Sequence, residues 1–240
     1  MKKITALLVT ALMSTAAMAQ TANEVLNKFY DASGTKAAWS EINTYTLTRS
    51  FVANAPTDYE MEVNVSTANG EMSKRKSIMK RDFFYVVNGN DGWIKIPMGS
   101  MDKNVKYNVK DLSEGEKSSM QQEIKDGVLP LLNFDKKGFR STFEGYKKYD
   151  GKTLAKVSLM RGDDTIDYFF DKETGLLIKE IYSSPKLTET WEHVEYRETN
   201  NGIKYPSESV YLDSKANKKT TVSTKLDVNQ TIDPVLFIRK

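Results

Sequence analysis

The sequence predicts a mainly β domain: an antiparallel meander of about ten or eleven strands with helices laid over it. Three observations carry this expectation. Apolar residues recur at helical spacing only near the start of the chain and again around residues 113–128. From Thr44 onward the apolar period becomes two. Asx–Gly pairs separate the alternating stretches, and such pairs adopt positive φ at low steric cost, as hairpin turns require. Consecutive hairpins make a meander, and a meander of this length must close, curl or be covered.

The chain opens with Lys2 and Lys3, a short apolar run from Ile4 to Met13, and the small-x-small triplet Ala17-Met18-Ala19. Together these parts read as an export signal. Residues 1–19 are therefore expected to be removed, leaving one domain over 20–240. The apolar run is far short of the ~20 residues a spanning helix needs, and an ordinary N-terminal helix or anchor is disfavoured because all three signal parts occur together.

In the first expected helix, Ala22 to Ala32, residues Val25, Leu26, Phe29 and Tyr30 form one apolar stripe. Thr21 or Asn23 can cap its start, and Gly34 can stop it. A short second turn, Lys36 to Ile42, carries Trp39 and Ile42. Tyr45, Leu47 and Phe51 then alternate with polar residues, with Arg49 as the exception. Tyr59, Met61, Val63 and Val65 alternate with Glu60, Glu62 and Asn64. Further alternating segments lie near 71–79, 82–88 and 91–97, punctuated by Asn69-Gly70, Asn88-Gly89-Asn90 and Asp91-Gly92.

The rhythm breaks at an insertion. Ser113 and Glu116 have the spacing of a capping box, and Met120, Ile124 and Val128 share one stripe. The apolar stretch 127–134 that follows, with Gly127 and Pro130 limiting regular structure, reads either as a gate at a cavity mouth or as a buried connector. Strands resume at 154–160, at Ile166, Tyr168 and Phe170, at 176–178, and near 187–198, 202–213 and 219–228. Asp150-Gly151, Arg161-Gly162-Asp163-Asp164 and the loop Asp171 to Gly175 supply the turns. No repeat and no second domain is visible.

Charge and composition narrow the function classes. Lys2 and Lys3 account for two of the net +3 charges, so the processed chain carries +1. A near-neutral chain with interspersed signs argues against a nucleic-acid partner. The run Lys74-Arg75-Lys76, with Lys80-Arg81 nearby, reads as a solvated strand edge rather than an anionic docking site. There is no cysteine. That predicts neither a disulfide nor an N-terminal lipid anchor, and with the export signal it points to the periplasm.

The sequence offers little to a catalyst. One histidine, His193, lies in a strand pattern where Trp191 and Glu195 share its face and Glu192 points away. A metal would need further His or Cys ligands, so a hydrogen-bonded structural role is the expectation. No Gly-x-Ser-x-Gly elbow, P-loop or dinucleotide fingerprint is present, and the carboxylates show no distinctive spacing. The expectation is a non-enzyme without cofactor or metal. Methionines at 61, 72, 79, 98, 101 and 120 accompany twelve tyrosines and ten phenylalanines. They can fill a core or provide a plastic wall for a flexible apolar ligand. Candidate cavity-lining residues are Trp39, Phe51, Met61, Val63, Phe84, Trp93, Ile94, Met120, Ile124, Leu129, Tyr168 and Phe170, although parity alone does not say which strand face points inward.

The order of elements carries a resemblance. The helix Ala22-Asn23-Glu24-Val25-Leu26-Asn27-Lys28-Phe29-Tyr30-Asp31-Ala32-Ser33-Gly34 comes first, then Trp39 before the first strand, Asp91-Gly92-Trp93, the helical insertion, the strand pair from Tyr168 through Gly175 to Lys179, and Asn201-Gly202-Ile203-Lys204-Tyr205-Pro206. This resembles the LolA/LolB-like outer-membrane lipoprotein-sorting proteins, in a divergent form common in Bacteroidetes-type bacteria, over nearly all of the processed chain. The resemblance implies a half-open antiparallel β-barrel under a helical lid, with an apolar cavity that takes acyl chains of lipoproteins or related lipids. Partners would be a lipid or acylated protein and membrane-bound donor or acceptor proteins, with the chain itself a monomer. The family's Lys-Arg-Pro segment is absent: Lys80-Arg81-Asp82 lacks the proline, so no lid-latching arginine is carried over. Lacking an N-terminal cysteine, the chain is similar to the soluble carrier rather than the anchored acceptor. The alternative is a protein-binding or scaffold module whose barrel is filled by its own side chains; an esterase-like enzyme comes last.

Overall fold

The computed structural model describes residues 22–52, 59–99, 105–215 and 218–239. The export signal, Thr21 and Met101 lie outside the described residues. Three α-helices are described: α1 over 22–33, α2 at Lys36–Ser40 and α3 at Glu114–Asp126. Thirteen strands form one sheet: β1 (Thr44–Val52), β2 (Tyr59–Ser66), β3 (Glu71–Ile78), β4 (Arg81–Asn88), β5 (Asp91–Met98), β6 (Lys106–Asp111), β7 (Arg140–Tyr149), β8 (Lys152–Arg161), β9 (Asp164–Asp171), β10 (Leu177–Ser183), β11 (Thr188–Glu198), β12 (Lys204–Asp213) and β13 (Lys218–Val228).

The strand order is β6-β5-β4-β3-β2-β1-β13-β12-β11-β10-β9-β8-β7. Two antiparallel meanders, β1–β6 and β7–β13, are thus joined through the β1–β13 pair, with Tyr45 opposite Val228 and Leu47 opposite Leu226. The sheet stays open, with β6 and β7 as its edges. The sequence expectation undercounted the strands by missing these two. Both are polar: β6 reads Lys-Tyr-Asn-Val-Lys-Asp, and β7 fully buries only Phe143.

The chain between the two edges is the insertion, so α3 and the segment after it run from one edge of the sheet to the other. Its local chemistry is that of the expected capping box. Ser113 Oγ accepts from the Glu116 amide at 3.3 Å, and Glu116 Oε2 accepts from the Ser113 amide at 3.0 Å. The helix ends two residues earlier than the stripe suggested, at Asp126, where Gly127 takes φ 66° and its amide bonds Glu123 O at 3.0 Å. Met120 and Ile124 are buried, while Lys74 of β3 pairs with Glu123 at 2.7 Å. The basic run 74–76 is therefore not a solvated edge. β3 is an internal strand, Lys74 holds the insertion helix, and Arg75 binds Glu60 and Glu62 of β2 from the opposite face.

Helix α1 lies on the concave side. Leu26, Phe29 and Tyr30 are buried and Val25 is half-buried, with the Phe29 ring 5.2 Å from that of Phe170. Gly34 (φ 117°) brings the chain within van der Waals range of the β11–β12 turn; a Cβ there would lie 2.5 Å from Gly202 O. Gly175 (φ 78°) does the same at the β9–β10 turn, where a Cβ would lie 2.8 Å from Lys28 O. The helix is thus seated between two turns by close backbone approach, which a side chain would block.

The convex face has a small core of its own. Val86, Trp93 and Phe237 are buried together, with Phe84, Val109 and Ile232 packed against them. The C-terminal segment supplies its cover: Asn88 Nδ2 donates to Phe237 O, and Arg239 pairs with Asp111 at 2.6 Å.

Candidate functional site

Between the concave face and the helices lies a cavity of about 110 Å³. Its roof is built by Phe29 of α1, Trp39 of α2, and Val128, Leu129 and Pro130 from the segment after α3. Its floor comes from six strands: Leu47 and Arg49 (β1), Tyr168 (β9), Leu177 and Glu180 (β10), Trp191, His193 and Tyr196 (β11), Ser209 (β12), and Thr224 and Leu226 (β13). Strands five places apart in the sheet meet in one wall because the sheet curls.

The roof segment is held from below and from the side. Leu131 is fully buried, and the Tyr30 hydroxyl donates to its carbonyl at 3.0 Å. Lys137 Nζ donates to Asp126 O at 2.5 Å and to Leu129 O at 3.0 Å. Arg161 of β8 grips the Asp126 carboxylate with both nitrogens, at 2.7 and 2.8 Å, and lies over the Phe139 ring. Burial pulls the Lys137 ammonium down to about 8. Near the roof, Trp39 Nε1 donates to Ser33 Oγ at 3.1 Å, tying α2 to α1.

The floor is more polar than the sequence suggested. His193 is buried, with 4 % of its side chain accessible. Its Nδ1 lies 2.9 Å from Ser209 Oγ, while its Nε2 has no hydrogen-bond partner and sits 3.7 Å from Glu180 Oε1. Burial, reinforced by the Arg49 cation, pushes the imidazole down to about 3, so it is neutral at physiological pH. Burial raises the Glu180 carboxyl, an effect the Arg49 charge partly offsets. Arg49 stacks on Trp191, its guanidinium carbon 4.5 Å from the ring centroid, and its Nε is buried without an acceptor. Tyr196 donates its hydroxyl to Leu177 O. The Ser209–His193 contact brings a hydroxyl to an imidazole, but an imidazole held at about 3 is a poor base for activating serine. Among the described residues, no group of three or more His, Cys, Asp or Glu is placed to hold a metal.

Of the twelve candidate residues, Trp39, Leu129 and Tyr168 line this cavity. Val63, Met120, Ile124 and Phe170 are buried in the same concave core, with Met61 and Ile94 packed against it. Phe51 is buried in an aromatic group beside the cavity, stacked on Tyr59 at 4.2 Å and 6.2 Å from Trp191. Phe84 and Trp93 lie elsewhere, in the convex core with Phe237. Expecting them in the cavity assumed that an apolar strand position faces the helices; here the C-terminal segment makes the convex face apolar as well. Sequence reasoning missed Arg49, Glu180 and Tyr196. Arg49 carried a signal, as the charged residue on the apolar face of β1. The others were displaced by bulges. Register shifts between His193, Glu195 and Tyr196 put Tyr196, not Glu195, beside Trp191 and His193. A shift between Leu177 and Lys179 brings Glu180 into the same wall as Leu177.

The fold has counterparts among solved structures. A LolA superfamily protein from Nitrosomonas europaea aligns with 90 % of this chain and 97 % of its own, at 12 % identity and a TM-score of 0.53. The chain has a LolA-like fold. A domain from Vibrio parahaemolyticus assigned to outer membrane lipoprotein sorting shares the LolA-like architecture over 89 % of this chain and 94 % of its own, at 12 % identity and a TM-score of 0.52. A DUF1329 family protein from Desulfovibrio piger matches over 88 % and 95 %, at 10 % identity and a TM-score of 0.53. No protein-family model matches the sequence, and no curated protein matches it. Among the described residues no helix is long and apolar enough to cross a membrane.

Proposed function

We propose that this LolA-like chain is a non-catalytic periplasmic carrier that shelters acyl chains of lipoproteins or other lipids between its sheet and its helices on the way to the outer membrane. The observation that carries the reading is the cavity itself: Val128, Leu129 and Pro130 of its roof belong to the segment that joins the two open edges of the sheet, so that part of the roof and the sheet can separate without breaking a strand pair. The lipoprotein-sorting assignment of the Vibrio parahaemolyticus domain supports the same reading. At about 110 Å³ the cavity is smaller than the roughly 300 Å³ of the smallest ordinary ligand pockets, so an acyl chain needs the roof to lift. The test is titration of the processed protein, residues 20–240, with a neutral fluorescent diacylglycerol. Saturable binding at micromolar probe, reversed by unlabelled lipid, is the expected result.

The small volume favours a second reading, a filled barrel that acts as a scaffold through its surface. Native mass spectrometry of protein purified from bacteria separates the two. Co-purified lipid is expected for the carrier; a clean apo mass together with no probe binding selects the scaffold.

A further inference from the structure

The cavity floor holds a cation with no bonded counter-charge. Arg49 projects from β1 into the wall, stacks on Trp191, and leaves its Nε buried without an acceptor. The residue as a whole is half-buried, and Glu180 and Glu189 are the carboxylates whose charge acts on it. The carboxylates that face it are otherwise placed: Glu189 accepts from the Tyr211 hydroxyl at 2.6 Å, and Glu180 lies nearest to His193. Buried charges in proteins are normally paired, because an unpaired one loses its hydration without compensation. A second orphan lies in the same wall. His193 is 4 % accessible, its Nδ1 is taken up by Ser209, and its Nε2 has no partner. If Ser209 donates to Nδ1, Nε2 carries the hydrogen, the tautomer that the Glu180 carboxylate at 3.7 Å favours. Two unsatisfied donors, one of them cationic, therefore share a cavity lined also by Lys204, Glu180, Ser209 and Thr224 and by the apolar Phe29, Leu129, Leu177 and Leu226.

The group that completes this wall accepts two N–H bonds, carries negative charge, is compact enough for about 110 Å³, and continues into an apolar chain. We propose that the cavity binds a fatty carboxylate head-first, with the carboxylate on Arg49 and His193 and the chain leading out past Leu129 and Pro130. The proposal rests on the carrier reading and sharpens it. An acyl chain linked through an ester or amide to a lipoprotein has no free carboxylate and must enter by its methyl end, so it leaves both donors unsatisfied. A free fatty acid satisfies them. Glu180 lies next to the same site, 3.7 Å from His193 Nε2, and burial raises its carboxyl.

Calorimetric titration of residues 20–240 with laurate and with methyl laurate, each below its aggregation limit, tests the assignment. Laurate is expected to bind at least 10-fold more tightly than its ester. In Arg49→Met this preference disappears while the ester affinity is unchanged, and the ligand-free variant melts at or above the parent temperature because a half-buried cation with an unpartnered Nε has been removed. Lower thermal stability of Arg49→Met would instead assign Arg49 a structural role and overturn the proposal. His193→Gln provides the independent arm, with a several-fold loss for laurate and none for the ester. Equal affinity of the parent for acid and ester overturns the head-group site and leaves the carrier reading standing. Binding of neither ligand removes both.

Discussion

His193 and Glu180 confront each other in the cavity wall, Nε2 3.7 Å from Oε1, too far apart to hydrogen-bond. The consequence for stability has a definite sign. The folded-state pKa of His193 is pushed down to about 3 from the ordinary 6.5, so the unfolded chain binds the proton more tightly. Stability is complete above the unfolded value and is lost as pH falls from about 6.5 toward 3. Glu180 works the other way: its raised pKa makes the folded state the better proton acceptor as pH falls.

Denaturant titrations at pH 7 and pH 5 should isolate the histidine. The parent is expected to lose about 2 kcal/mol more than His193→Gln over that interval, since at pH 5 the unfolded imidazole is already protonated. Arg49 and Glu180, which face the ring, and Ser209, bonded to it, are common to both proteins. An equal pH response in parent and variant would mean that His193 is not held neutral in the fold.

The seating of α1 makes a second prediction. Gly175→Ala faces two costs: the positive φ, and a methyl group 2.8 Å from Lys28 O. Gly162→Ala faces only the first, since nothing lies within 4 Å of its Cβ position at φ 59°. The control is expected to lose about 1 kcal/mol. Gly175→Ala should lose about 2 kcal/mol or more. The excess over the control, read by chemical denaturation, measures the helix–turn contact. No excess would mean that α1 does not depend on that approach.

The cap on α3 supplies a third. Ser113→Ala removes the oxygen that accepts the Glu116 amide and leaves the Glu116 side chain with only the backbone amide of residue 113. A loss of about 1 kcal/mol is expected by denaturant titration. Glu116 is held below the ordinary carboxylate range by its bonds to Ser113, and the substitution should return it toward that range in a carboxyl-resolved NMR titration.

What the sequence made legible, and what it did not, follows from which faces are buried. Internal strands such as β2 and β9 announce themselves because one face meets the core, as Val63, Tyr168 and Phe170 do. The edges β6 and β7 do not, since exposed Lys106, Lys110, Lys147 and Lys148 sit where an internal strand would alternate more clearly. Helix α3 was legible through Ser113 and Glu116, whose spacing is itself the bonding pattern. The floor of the cavity was not. Tyr196 and Glu180 reach it through bulges that reset the period of two, and no local pattern marks a bulge. Trp93 and Phe84 misled because a C-terminal segment remote in sequence covers the convex face.

The last prediction concerns the roof. The stretch 127–134 is packed in this structure: Leu131 is fully buried and Leu129 nearly so, which is the connector half of the sequence expectation. Yet it is held by side-chain contacts and local turn bonds rather than by a strand ladder. Asp126 is clasped by Arg161, the Leu129 carbonyl by Lys137, and the Leu131 carbonyl by Tyr30, while no strand pairs with it. A segment held by such contacts opens at lower free energy than a sheet held by continuous ladders. For the carrier reading this difference is required, because a cavity of about 110 Å³ is too small for an acyl chain unless the roof lifts. Hydrogen exchange should therefore show amides of 128–132 exchanging at least 10-fold faster than those of β8 and β9, slowing when lipid is bound. Asp126→Asn, which weakens the Arg161 clasp without removing its geometry, should speed exchange in the roof and leave β9 unchanged. Equal, high protection of roof and sheet, unaffected by lipid, would make the segment a fixed connector and close the route by which an acyl chain enters.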